Sequence, residues 1–211
     1  MGAGSRVRAR TVRLGPDGLR AAARVLRRFG LRVEIDAAHP APRPRPGKHA
    51  GIVRAVRLGL APRLPPELVA VEGVSVAADL WPGAYVRPDL CVCPVRFLTS
   101  DESLLHPQAV DIAVEVVLPG ASAEDVGMAA DRYAAAGVRA LLVIDPHAES
   151  GSWTLHSEPV AGHYWLDRTG RYGDPVPLTA AGVPTAGLHS DRLPTVGLPR
   201  YAAVPPPTQT R

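Results

Sequence analysis

The stretch "DIAVEVVLPG" (residues 111–120) decides the fold. Its first eight residues form a near-continuous apolar run, the pattern of a strand buried on both faces of a sheet. "SAEDVGMAADRYAAAG" (122–137) comes next, and "VRALLVIDP" (138–146) after it. Ser122 suits a helix N-cap, Glu124 and Asp125 suit the first turn, and Gly137 suits the end. The second apolar run stops at Pro146. A strand–helix–strand unit needs a crossover, so its two strands are expected to run parallel. The class is α/β or α+β, with a mixed central β-sheet flanked by helices.

The flanking segments fit that class. "GLRAAARVLRRF" (18–29) carries Leu19, Ala22, Ala23, Leu26 and Phe29 at helical spacing. "LRVEID" (31–36) reads as a short strand, and the proline-rich "AAHPAPRPRPG" (37–47) as an extended loop. "KHAGIVRAVRLGLAPRL" (48–64) returns to helical period through Ile52, Val56 and Leu60. "LVAVEGVSVAA" (68–78) reads as one or two strands, and "YVRPDLCVCPV" (85–95) as another, entered at Pro88. "FLTSDESLLHPQ" (97–108) reads as loop or a helical turn. "GSWTLHSEP" and "HYWLDRTG" (151–159 and 163–170) alternate like a hairpin, with Trp153, Tyr164 and Trp165 as packing residues. Past residue 179 apolar periodicity fades among prolines. Three regions are therefore expected: a basic arm and helix (1–30), one folded domain (31–178) and a floppy Pro-rich tail (179–211).

Charge is distributed unevenly along the 211 residues. Residues 1–32 hold nine arginines against one acid, Asp17, for a net +8, whereas the rest of the chain nets −4. Such an arm can attract phosphate backbones through counterion release, or be a solvated leader. Lys48 is the one lysine. Cys91 and Cys93, two apart on a strand, point to one face. C-x-C alone makes neither a disulfide nor a zinc site, so both read as buried thiols in a reducing cytoplasm. No apolar run approaches the ~20 residues of a membrane span, and no signal peptide is evident. His147, His156 and His163 scatter around the hairpin and read as surface residues.

Two carboxylates interrupt apolar strands. Alternation puts Asp111, Ala113, Glu115 and Val117 on one face, so Glu115 falls mid-strand. Asp89 interrupts "RPDLCVC" in a similar way. A buried carboxylate needs a cation or hydrogen-bond donors. If the two strands pair, the oxygens converge and suit a hard divalent cation such as Mg²⁺. The competing explanation is an Arg–carboxylate ion pair inside the fold.

In order, "RVEID" (32–36), "KHAGIV" (48–53), "RPDLCVC" (87–93), "VEVV" (114–117), "YAAAGV" (133–138) with "LLVIDP" (141–146), and the C-terminal "SWTLHSEP" with "YGDPVPL" resemble the Uma-two family of restriction endonucleases. That family is a branch of the PD-(D/E)XK nucleases. The similarity spans about residues 30–178. It implies a restriction-endonuclease-like fold and a DNA endonuclease using Mg²⁺ or Mn²⁺. Asp89 and Glu115 would be metal ligands, with the Val116 carbonyl assisting and Glu34 at the edge of the site. His49 would be a lining residue near Glu34. Nucleases of this type often pair into a homodimer to cut two strands, although nothing in these residues fixes that.

The departures from the family fall at the chemistry. The wider superfamily's lysine slot, two residues after the glutamate, is Val117 here. The family instead carries its lysine fourteen residues after the glutamate and four before the helix tyrosine. Tyr133 fixes that register, and the slot holds Ala129. The family serine is Leu118, and the glycine after Asp36 is absent. Arg132 and Lys48 are candidate substitutes, although a guanidinium is a poor proton acceptor. Two functions follow: a weakened or inactive endonuclease, or an inactive nuclease-fold module that binds nucleic acid or another partner.

Overall fold

The computed structural model describes residues 45–78, 84–147, 151–183 and 192–201. The basic arm, the 31–36 segment and Glu34 lie outside the described residues. Helix α1 spans Gly47–Leu60. Strands β1 (Leu68–Glu72), β2 (Val76–Ala78), β3 (Ala84–Val86), β4 (Leu90–Pro94) and β5 (Ile112–Val116) follow, with short 3₁₀ turns between some of them. Helix α2 (Ala123–Ala136) leads to β6 (Ala140–Asp145). A hairpin of β7 (Ser152–Val160) and β8 (His163–Arg171) comes next, then β9 (Val176–Pro177) and β10 (Arg192–Leu193).

The central sheet has six strands in the order β1-β4-β5-β6-β7-β8. β5 and β6 run parallel, and the other neighbours are antiparallel. The expected crossover unit is thus present at the centre of the sheet. Ser122 accepts the Asp125 N–H, and the Asp125 carboxylate accepts the Ser122 N–H, closing a capping box. Gly137 ends α2 in the left-handed region at φ 83°, where a Cβ would be strained.

Strand alternation divides the core into two layers. Leu90, Val92, Ile112, Val114, Leu142 and Ile144 face α1, which contributes Ile52, Val53, Val56 and Leu60. Cys91, Cys93, Ala113, Leu141 and Val143 face α2, which contributes Ala130, Tyr133 and Ala136. Both cysteines are buried and free, as their spacing suggested. Trp153 packs in the core, and Tyr164 donates its hydroxyl to Val138 O at 2.9 Å. Trp165 departs from the packing expectation: it is 75% exposed on the hairpin.

Two expectations need correction. "YVRPDLCVC" is not one strand. β3 and β4 are separate, and Asp89 stands just ahead of β4. Pro88 removes a ladder donor at that point, which favours a break. The segment after residue 179 is not a floppy tail in its described part. Ala181, Val183, Leu193 and Leu198 are buried with the α1-side core, and β10 pairs with β9. The prolines hid this, because two-residue strands carry no readable period. Arg63 Nε further ties the segment down by donating to Arg192 O at 2.7 Å.

Leu193 is fully buried. Leu193→Ala should therefore cost about 2–5 kcal/mol by urea denaturation. A free tail would give no change.

Candidate functional site

Asp89 is placed by the sheet register. Leu90 pairs with Val114, so the next antiparallel rung sets Asp89 across from Glu115. The Asp89 N–H donates to Val114 O at 3.0 Å. Its side chain continues the ladder: Oδ2 accepts the Val116 N–H at 2.8 Å. His49 Nε2, from the first turn of α1, lies 3.1 Å from the same oxygen. Both side chains are buried. Arg45 Nη1 stands 2.6 Å from Oδ1, an ionic contact that lacks the directional geometry of a hydrogen bond.

Glu115 projects from β5 toward α2, where the Tyr133 hydroxyl donates to its Oε1 at 2.5 Å. The Asp89 carboxylate is near enough for its charge to bear on Glu115. Desolvation and the neighbouring Asp89 charge push Glu115 up to about 8. Asp89 is held below the ordinary carboxylate range. Its burial, which is the largest influence, acts the other way and is outweighed by the His49 and Val116 hydrogen bonds and the His49 and Arg45 charges. Burial, followed by the Glu115 charge and hydrogen bond, pushes the Tyr133 phenol up and keeps it a donor. Two acids thus occupy one enclosed space under different constraints, a pattern typical of functional sites.

The structure brings together Asp89, Glu115 and Val116, and places His49 directly on Asp89. The contact seen for Val116 is through its N–H. Asp111, on the Glu115 face, pairs with Arg139 at 2.9 Å and has a structural role. Lys48 Nζ donates to Arg200 O at 2.9 Å, so it is engaged with the C-terminal segment. Ala129 lies one helical turn before Tyr133 on α2 and is half-buried. His147, His156 and His163 pair singly with Asp145, Asp167 and Asp131. Among the described residues, no group of three or more His, Cys, Asp or Glu side chains is set to hold a metal.

Two neighbouring carboxylates, Asp89 buried and Glu115 half-buried, with Asp89 Oδ1 held only by the Arg45 ion pair, nevertheless fit a hard divalent cation as oxygen donors. The ion-pair alternative accounts for half of the arrangement: Arg45 meets Asp89, while Glu115 takes a phenol.

A cleft of about 490 Å³ opens beside Asp89 and is lined by Arg45, His49, Glu72, Gly73 and Arg87 among others. Sequence reasoning missed Arg45 and Arg87, because their place at the site depends on the turns before α1 and β4. Tyr133 served there only to fix a register. Its spacing, one turn after position 129, was the available signal.

The six-stranded mixed sheet with helices on both faces defines a mixed α/β protein. The family model described as "Putative restriction endonuclease", Uma2, matches residues 30–183, and the chain belongs to that family. Among solved structures, the chain is similar to "a putative nuclease belonging to DUF820" from Anabaena variabilis. That likeness has 19% identity, covers 71% of this chain and 79% of the other, and has a TM-score of 0.47. No curated protein matches. No helix among the described residues is long and apolar enough to cross a membrane.

The raised Glu115 has a stability consequence. Between the ordinary glutamate range and about pH 8, the folded state holds a proton that the unfolded chain has released. Stability therefore falls as pH rises through that interval. In chelator, the denaturation midpoint should drop across this range, and Glu115→Gln should flatten the drop. An identical slope in the variant would place the linkage elsewhere.

Proposed function

We propose that the chain is a metal-dependent DNA endonuclease, a phosphodiester hydrolase, whose site is weakened. The observation that carries this reading is the facing pair of Asp89 and Glu115 at one end of the sheet, beside a cleft that holds two arginines. Asp89 and Glu115 would hold Mg²⁺ or Mn²⁺, with the Val116 carbonyl as a further oxygen. When bound, the ion neutralises charge on the phosphoryl group and activates the attacking water.

The chain's own residues do the positioning. The Val116 N–H and His49 fix Asp89 at Oδ2, and Tyr133 fixes Glu115 at Oε1. Arg45 and Arg87 present guanidinium groups to the cleft, which suits phosphate backbones. The nine arginines of residues 1–32 add sequence-independent attraction for DNA. The weakness lies at Ala129. Its methyl cannot orient water or meet developing charge, and a positioned acid–base group is worth ~10²–10⁴ in rate.

A second reading is a nuclease-fold module that binds nucleic acid without cutting it. The favouring observations are Ala129 and the Arg45 guanidinium already against Asp89.

Purified protein incubated with supercoiled plasmid and Mn²⁺ should nick slowly, and Asp89→Ala should abolish nicking. Ala129→Lys should raise the rate about 10²-fold. Equal nicking by the parent and Asp89→Ala would reject the assigned site. No nicking by either the parent or Ala129→Lys would leave the binding module as the function.

A further inference from the structure

Asp89 uses its two carboxylate oxygens differently. Oδ2 is committed twice: it accepts the Val116 N–H at 2.8 Å and lies 3.1 Å from His49 Nε2. Oδ1 has no hydrogen bond, and among the described residues it is met only by Arg45 Nη1 at 2.6 Å. A metal ligand needs a lone pair free of other donors. Oδ1 is therefore the Asp89 oxygen open to a divalent cation, and Arg45 already stands on it.

The two partners are buried to very different depths. The Asp89 side chain is 1% exposed and that of Arg45 is 54% exposed. The guanidinium thus caps the carboxylate from the solvent side while its outer half stays in water. For Arg45 such a contact is weak, because a pair with one partner in water gains little. For Asp89 the loss of any cation is costly, because a buried charge would be left uncompensated. Arg45 is accordingly held until another cation replaces it. A guanidinium and a divalent ion on one oxygen would repel each other strongly at that distance, so the two occupancies exclude one another.

The chain around Arg45 allows the side chain to move without the backbone. Pro46 fixes its own φ at −67°, and its carbonyl accepts the His49 N–H at 2.9 Å where α1 begins. A displaced Arg45 side chain therefore stays in the cleft of about 490 Å³ beside Asp89. Arg87 lines the same cleft, its Nη2 near Gly73. Two carboxylates line it, Asp89 and Glu72. Glu72 is already matched by Arg57 at 3.2 Å. Once Asp89 is taken, the displaced guanidinium needs an anion that comes from outside the protein, and a phosphate suits its planar fork.

We propose that Arg45 is an exchangeable counter-cation: it closes Asp89 Oδ1 in the free protein, and passes to a phosphate of a bound nucleic-acid strand when a divalent cation takes that oxygen. Metal and strand then bind in concert, since each favours the Arg45 position that the other requires, and the coupling is reciprocal. This inference rests on the nuclease reading for its metal and ligand class, but its test does not depend on cleavage.

The test is calorimetric titration of the full chain with Mn²⁺ in the absence of nucleic acid. Arg45→Gln should bind Mn²⁺ about tenfold more tightly than the parent, a coupling of ordinary size. Arg45→Ala should do the same, and Asp89→Asn should lose the binding. Anisotropy of a fluorescein-labelled single-stranded oligonucleotide reads the other half. Arg45→Gln should weaken its binding in Mn²⁺ and leave it unchanged in chelator, because Arg45 reaches the phosphate only after a cation has replaced it. Equal losses in both conditions would make Arg45 an ordinary phosphate contact and overturn the exchange. Parental or weaker Mn²⁺ affinity in both Arg45 variants, or loss of the fold in both, would make it a structural counter-ion and overturn it too. So would Mn²⁺ binding by none of these proteins, or binding that survives Asp89→Asn. Plasmid nicking in Mn²⁺ is scored separately. Tighter Mn²⁺ binding by the Arg45 variants, with no nicking by the parent or by Ala129→Lys, refutes the endonuclease reading and leaves the exchange standing. Nicking by the parent with unchanged Mn²⁺ affinity in the variants does the reverse.

Discussion

The bond from the Val116 N–H to Asp89 Oδ2 is where fold and site become one object. A backbone donor at the end of a buried strand must be met. Here a side-chain carboxylate meets it, just where Pro88 has interrupted regular pairing. The acid is therefore locked to the sheet by the same requirement that satisfies the ladder. Once it is fixed, Glu115 follows, because the antiparallel register of β4 and β5 sets it across from Asp89.

Burying a second carboxylate against the first is unfavourable unless something shares the charge. The molecule offers three partial answers. Tyr133 donates to Glu115 from α2, His49 reaches Asp89 from α1, and Arg45 lies against Asp89 from the chain entering α1. None removes the conflict, as the raised Glu115 indicates. A core built only for stability would use apolar side chains of similar volume there, since buried ionic groups are often neutral or costly to stability. A retained conflict of this kind is the pattern that functional sites favour, and it sits where two helices from opposite faces can both reach.

Sequence period revealed most of the scaffold. The crossover unit, the α2 caps, the hairpin and the shared face of Cys91 and Cys93 all came from patterns that repeat over several residues. Asp89 and Glu115 were visible because a charge stands out in an apolar run. What escaped notice depends on single contacts between distant segments. Arg45 and Arg87 matter through the turns that carry them, and Trp165 faces solvent despite its strand-like setting. The C-terminal segment eluded the reading because prolines and two-residue strands leave no period, although Leu193 and Leu198 are ordinary core residues once paired.

The same logic links the missing lysine to the C-terminal segment. A lysine at position 129 would approach the acids from α2, the Tyr133 side. The segment 198–201 approaches from the α1 side, held by Lys48. The chain's one lysine therefore holds the C-terminal segment through a backbone carbonyl.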